Sequence, residues 1–199
     1  MDPNLVINRI LRLARLDTSV FDEVRDDVNE LIPALVVAGV SALLAGLGAT
    51  LWFAVLWDSN YHPDGIWFNT FIFGGVFLAA MYLVWVLVDY VVLVQVYKAS
   101  ADLQSLLRTM GYAAAPLALS LLMFIPVLWP IFAIVPLALL LVMAIYATQA
   151  VTNADSTQVV IANLAGFTVM VLVLTIVAFS SDTSKIGAGL FAALFEPVK

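Results

Sequence analysis

Apolar residues fall into five long runs, 32–57, 67–97, 107–125, 130–151 and 159–179, with short polar or proline-bearing stretches between them. Each run is close to or above the ~20 residues that a helix needs to cross a bilayer, and none alternates with a strand's period of two. The pattern predicts an all-α polytopic integral membrane protein with five transmembrane helices. Ahead of them, apolar positions recur at helical spacing instead of running on, which predicts N-terminal amphipathic helices. Over 5–16, Asn8, Arg12 and Arg15 share one face, with Arg9 beside them and Val6, Ile10, Leu13 and Ala14 opposite. This reads as an interfacial helix with Arg9, Arg12 and Arg15 at the membrane surface; a plain basic flank fits the same residues. Asp17, Thr18 and Ser19 can cap a second helix. Val20, Val24, Val28 and Leu31 form its apolar stripe, and Asp22, Glu23, Asp26, Asp27 and Glu30 form a solvated acidic face.

Prolines punctuate the runs. Pro33 falls in the first turn of the first span, where it is tolerated. Pro116 lies inside the third, lacks an N–H and frees the carbonyl of Tyr112, so a kink is expected there. Pro126 and Pro130 leave room only for a tight turn, which makes the third and fourth spans a hairpin with Trp129 at headgroup level. The segment 186–195 near the C-terminus is apolar but too short to cross, and is expected to lie at the outer interface or against a partner.

Composition agrees with lipid as the solvent: 64% of residues are hydrophobic, 11% are charged, and the mean hydropathy is +1.07. Soluble domains average about 45–50% apolar and 25% charged residues. Basic residues set the orientation. Arg9, Arg12, Arg15, Arg25, Lys98 and Arg108 lie before the first span or between the second and third, against Lys185 and Lys199 on the other side. The expected topology therefore has the N-terminus cytoplasmic and the C-terminus outside. A net charge of −6 gives no support for nucleic-acid binding, and the absence of cysteine excludes disulfides, thiolate metal sites and cysteine nucleophiles.

Candidate chemistry is sparse. Asp89 lies within the second span, where an ionisable side chain is a functional candidate by default. The stronger reading is a structural acid that hydrogen-bonds across to the third or fourth span. Gln95, Tyr112 and Gln149 complete a candidate intramembrane polar site. His62, the only histidine, sits in the 58–65 loop near Asp58 and Asp64, which is thin material for a metal centre. Gly39, Ala42, Gly46, Gly75 and Ala79 recur at spacings of three and four on the first two spans, the pattern that brings helix backbones together within a monomer or between copies. No cofactor and no catalytic constellation is expected.

Three stretches carry a resemblance: SVFDEVRDD before the first span, LLRTMGYAAAP at the start of the third, and FIPVLWPIF at its exit. With Gly111-Tyr112 followed by Phe124-Ile125-Pro126 and the five-span plan, the chain resembles the Yip family (Ypt/Rab-interacting membrane proteins), in its small prokaryotic-type branch. The acidic Asp-Leu-Tyr-Gly-Pro motif of longer family members is missing, so the resemblance does not extend to GTPase binding. It implies a non-catalytic adaptor, scaffold or accessory subunit that associates with membrane lipid, with other integral membrane proteins or with itself. A small-solute or ion transporter or channel subunit is the alternative, and Asp89 is the residue that would decide for it.

Overall fold

The computed structural model describes residues 2–56 and 65–180, and the described residues are helical with no strand. Two short helices, α1 (Pro3–Ala14) and α2 (Ser19–Asp26), precede α3 (Leu31–Leu56), α4 (Gly74–Val91), α5 (Leu103–Ala113), α6 (Trp129–Gln149) and α7 (Ser156–Ser180). Five stretches, Val28–Ala54, Trp67–Val96, Leu103–Phe124, Trp129–Gln149 and Ser156–Ala178, are long and apolar enough to cross a membrane. The loop holding Asp58, His62 and Asp64 and the segment 186–195 lie outside the described residues.

Local chemistry explains each N-terminal boundary. Asp2 accepts from the Asn4 amide at 2.9 Å and Pro3 opens α1, so two of the helix's orphan donors need no intrahelical acceptor. The helix ends at Ala14, and two residues on, Leu16 adopts φ 63. Asp17 then accepts from the Ser19 amide at 3.2 Å and the Ser19 hydroxyl at 2.5 Å, starting α2. The second helix is shorter than its sequence suggests. Asp27 is extended and accepts from the Asn29 amide at 3.0 Å, so the chain breaks there and turns once as a 3₁₀ helix, Val28–Glu30. Val28 consequently leaves the apolar stripe and is exposed, while Phe21 joins Val20 and Val24 in the buried one.

The third span also departs from expectation. Asp102 caps α5 by accepting from the Ser105 amide at 2.8 Å, so the helix begins four residues before Leu107. At Pro116, where a kink was expected, the helix changes type. The α-helix ends at Ala113, and Ala115–Phe124 continues as a 3₁₀ helix with Pro116 in its first turn, where a missing N–H removes no intrahelical bond. Ten residues is long for this helix type, in which runs beyond 3–4 residues are uncommon. Leu117, Ser120 and Met123, three residues apart, form its buried edge. The turn before Pro130 is as tight as predicted, with Val127 at φ 70.

Contacts divide the chain into two compact units. The first comprises Met1–Ala38, Leu83–Ala115 and Leu140–Thr168. Here α2 packs on α5. The lack of a side chain at Gly111 lets the backbones of α3 and α5 meet, since a Cβ would lie 2.6 Å from the Ala34 carbonyl oxygen. Leu93, Ala154, Val159 and Ala162 form a separate buried cluster. The connecting segments are tied to each other: Thr152 Oγ1 donates to the Ser100 carbonyl and the Ser100 amide to Asn153 Oδ1, both at 2.9 Å. Arg25 donates to the Ala150 carbonyl at 2.8 Å, placing a cation at the negative C-terminal end of α6.

The second unit comprises Gly39–Tyr82, Pro116–Leu139 and Val169–Lys199. It is built on close backbone approach. A Cβ at Gly46 would lie 2.8 Å from the Phe71 carbonyl oxygen, one at Gly75 would lie 2.9 Å from Leu43 Cα, and one at Gly48 would strike the Ser120 carbonyl oxygen. Trp52 closes this unit, stacking edge-on against Phe53 and tilted against Trp129, with ring centroids 4.8 and 5.6 Å away. Trp129 therefore has a packing partner that the headgroup expectation did not include.

Candidate functional site

The polar residues of the described structure concentrate in the first unit, around one side of α1. Val6, Arg9 and Leu13 recur at i, i+3 and i+7 and are buried, so Arg9 is carried inward with two apolar neighbours. There its Nη1 lies 2.5 Å from Glu30 Oε1, with both side chains less than a tenth exposed. The Tyr112 hydroxyl donates to the other oxygen, Glu30 Oε2, at 2.6 Å, and the Arg9 guanidinium lies 5.9 Å from the centre of the Tyr112 ring. Burial is the strongest single influence and works against the Arg9 charge, but Glu30 and Tyr112 together outweigh it and hold the guanidinium above its ordinary pKa. The triad joins α1, the 3₁₀ turn before α3, and α5.

A second layer lies around Arg12. Its Nη2 meets Glu23 Oε1 at 2.7 Å and its Nε donates to Asp17 Oδ2 at 2.8 Å. Glu23 and then Asp17 raise the Arg12 pKa, while the Ser19 hydroxyl and then Arg12 lower that of Asp17. Both groups thus stay charged across the ordinary pH range.

These placements change the reading of the basic residues. Arg9 is buried on Glu30, and Arg12 faces Glu23 and Asp17. Of the three arginines assigned to the surface, Arg15 alone is exposed and without an ion pair among the described residues. Glu30 likewise departs from the solvated acidic face, while Asp22, Glu23 and Asp26 remain exposed on it. The triad was missed because its members are 9, 30 and 112 in the sequence and only packing brings them together. The available signal was Arg9 itself, which falls inside the Val6–Leu13 stripe when α1 is drawn as a helix.

The four residues of the predicted intramembrane polar site do not form one. Gln95 is exposed. Gln149 donates to the Ala154 carbonyl at 3.2 Å and closes the connection between α6 and α7. Tyr112 belongs to the triad. Asp89 is fully buried elsewhere in the first unit, one turn after Trp85. Gly166 of α7 makes this possible: a Cβ there would collide with the Trp85 ring and lie 2.7 Å from Asp89 Oδ1. Phe167 packs edge-on against Trp85 with centroids 5.2 Å apart. No Lys or Arg among the described residues forms an ion pair with Asp89, and Asn163, one turn before Gly166, is also fully buried.

The small residues divide similarly. Gly46 and Gly75 sit at the closest approach of their two segments and Ala42 is buried beside them. Ala79 is half-buried, and Gly39 faces open space, with nothing within 4 Å of a Cβ built on it. Among the described residues no three His, Asp or Glu side chains group as metal ligands would. Comparison with protein-family models, with curated proteins and with solved structures finds no match.

Proposed function

We propose that the protein is a non-catalytic integral membrane adaptor or accessory subunit, acting by association with other membrane proteins or lipid. The observation that carries this reading is the buried Arg9–Glu30–Tyr112 triad. It fixes α1 and α2 to the membrane-spanning helices, so the exposed acids Asp22, Glu23 and Asp26 form a platform of set position and not a loose arm. A pre-ordered surface loses less entropy on binding than a flexible tail, which is what an adaptor needs. The likeness to the Yip family accords with this reading, as does a cytoplasmic N-terminus in the cytoplasmic membrane of a prokaryote. Purification in mild detergent tests it: a stoichiometric membrane protein or a homo-oligomer is expected, and a monomer at all concentrations that transports a solute when reconstituted alone would overturn it. For the topology, a cysteine replacing exposed Gln104 should resist an impermeant maleimide on intact cells, whereas one replacing Ser59 should react.

One observation favours the transporter alternative. Asp89 is fully buried in an apolar helix without a cationic partner among the described residues, the situation in which carboxylates handle protons or ions. Reconstituted protein with an ion- or proton-dependent flux that Asp89→Asn abolishes would move the assignment there.

A further inference from the structure

Several large apolar side chains near the N-terminus stand in the open: Ile7, Leu11, Leu16, Val28 and Ile32 are each between 55% and 73% exposed. On α1, Ile7 and Leu11 lie one turn apart, and exposed Pro3 and Ala14 extend the same apolar side along the helix. Asn4, Asn8 and Arg15 are the exposed polar positions beside it, and Val6, Arg9 and Leu13 occupy the buried side. The helix thus has three sides of distinct character: one packed inward, one polar, one apolar and uncovered.

Its position says what covers the third. The Arg9–Glu30 ion pair sets the middle of α1 beside residue 30, and Val28 and Ile32 flank that residue at the start of the first membrane-spanning stretch. Exposed apolar surface on α1 therefore sits at the level where exposed apolar surface on the spans begins. Charge rules out an electrostatic attachment. Arg9 and Arg12 are paired inward, and the first 31 residues hold seven acidic against four basic side chains, which an anionic surface would repel.

We propose that Ile7, Leu11 and Leu16 dock on lipid. The helix lies in the plane of the membrane with these side chains at the boundary between headgroups and acyl chains, held by apolar burial and not by basic residues. This rests on the reading of the five apolar helices as membrane spans and is independent of the adaptor reading, whose test is co-purification.

The chain has no cysteine, so the full-length protein accepts single spin labels without background. Ile7→Cys, Asn8→Cys, Leu11→Cys, Arg15→Cys and Leu16→Cys, each labelled in nanodiscs of zwitterionic phosphatidylcholine, report collisions with oxygen from the lipid phase or a nickel chelate from water. The oxygen-to-nickel ratio should be several-fold higher at positions 7, 11 and 16 than at 8 and 15. Equal nickel access at all five positions overturns the proposal. Loss of access to both reagents at 7 and 11 also overturns it, because that side would then be covered by protein. Repeating the measurement with equal parts of anionic lipid should leave the pattern unchanged; a pattern that appears only there would replace apolar docking with charge attraction. Leu87→Cys, on an exposed position of the second span, is the reference: nickel access there refutes the spanning reading and not merely the docking of α1.

Discussion

The first unit adds polar specificity to steric fit, and the second rests on steric fit. Around α1, α2 and α5 the chain uses ion pairs, caps and side chain to backbone bonds, with Arg9, Arg25 and Tyr112 each joining segments distant in sequence. In the second unit the joints are absences of side chain, at Gly46, Gly48 and Gly75, together with the rings of Trp52, Phe53 and Trp129. The contrast follows from solvent. Apolar helices in lipid gain little from hiding apolar surface, so they hold together by close backbone contact. Polar bonds are worth building where charged groups can be brought in from water and then enclosed.

If that contrast is right, the two units should fail differently. The largest effect is expected from breaking the triad on one side. Arg9→Met leaves Glu30 buried with its charge uncompensated, and breaking a buried pair in this way costs about 3–5 kcal/mol. Release of α1 should appear as protease cleavage around Leu16 while the spans remain folded. Arg9→Met combined with Glu30→Leu should recover much of the loss, as a coupled pair does.

Next comes the steric test. Gly48→Val pushes a branched side chain into the Ser120 and Leu121 backbone, and overpacking of this kind costs about 1–3 kcal/mol or more. No second substitution of opposite charge can rescue it, and thermal denaturation in detergent should show the whole helical signal shifted. Uncoupled loss of α1 in this variant would blur the distinction between the units.

At Asp89 the two modes meet. Asp89→Asn keeps the shape and a hydrogen-bonding group and should be tolerated, whereas Asp89→Leu puts a branched apolar side chain of different shape against Trp85 and Gly166, at about 1–3 kcal/mol. Gly166→Ala should be as harmful as Asp89→Leu because its methyl meets Trp85 and Asp89 together. Melting temperatures of the three variants in one detergent check the order.

The smallest effect is that of acid. Asp17, held low by Ser19 and Arg12, Asp26, held low by Arg25, and Asp102, held low by the Ser105 amide, all have folded-state pKa values below the unfolded value. Their contribution is complete above the usual aspartate value of about 3.9 and is lost as pH falls through the lower folded values. All three are solvent-accessible, so a titration from neutral pH to pH ~3 should loosen α1, α2 and the start of α5 only modestly. The raised pKa of Arg12 adds no pH dependence at or below neutrality, since arginine stays protonated there whether folded or not.

The hydrophobic runs located five helices, because length and apolarity are written locally. The hairpin turn was legible for the same reason, in two prolines and the residues between them. What escaped was anything depending on a partner from elsewhere in the chain. Glu30 reads as one more member of an acidic face until Arg9 and Tyr112 are placed on it. Gly39 and Gly46 look alike in the sequence, but one faces open space and the other a carbonyl. Gly166 carries no sequence signal at all, since its importance derives from Trp85 and Asp89 on another helix. Nor could composition indicate that Asp27 would cut α2 short, because an aspartate caps a helix as readily as it continues a solvated face.

The 3₁₀ stretch from Ala115 to Phe124 has a consequence for reach. At about 2.0 Å per residue in place of 1.5 Å, ten residues extend roughly 5 Å further than they would as an α-helix. That is comparable to the difference in hydrocarbon thickness, from about 27 to 32–33 Å, between thin and thick cellular membranes. The same residue count thereby covers more length, and the longer gauge begins at Ala115 with Pro116 in its first turn.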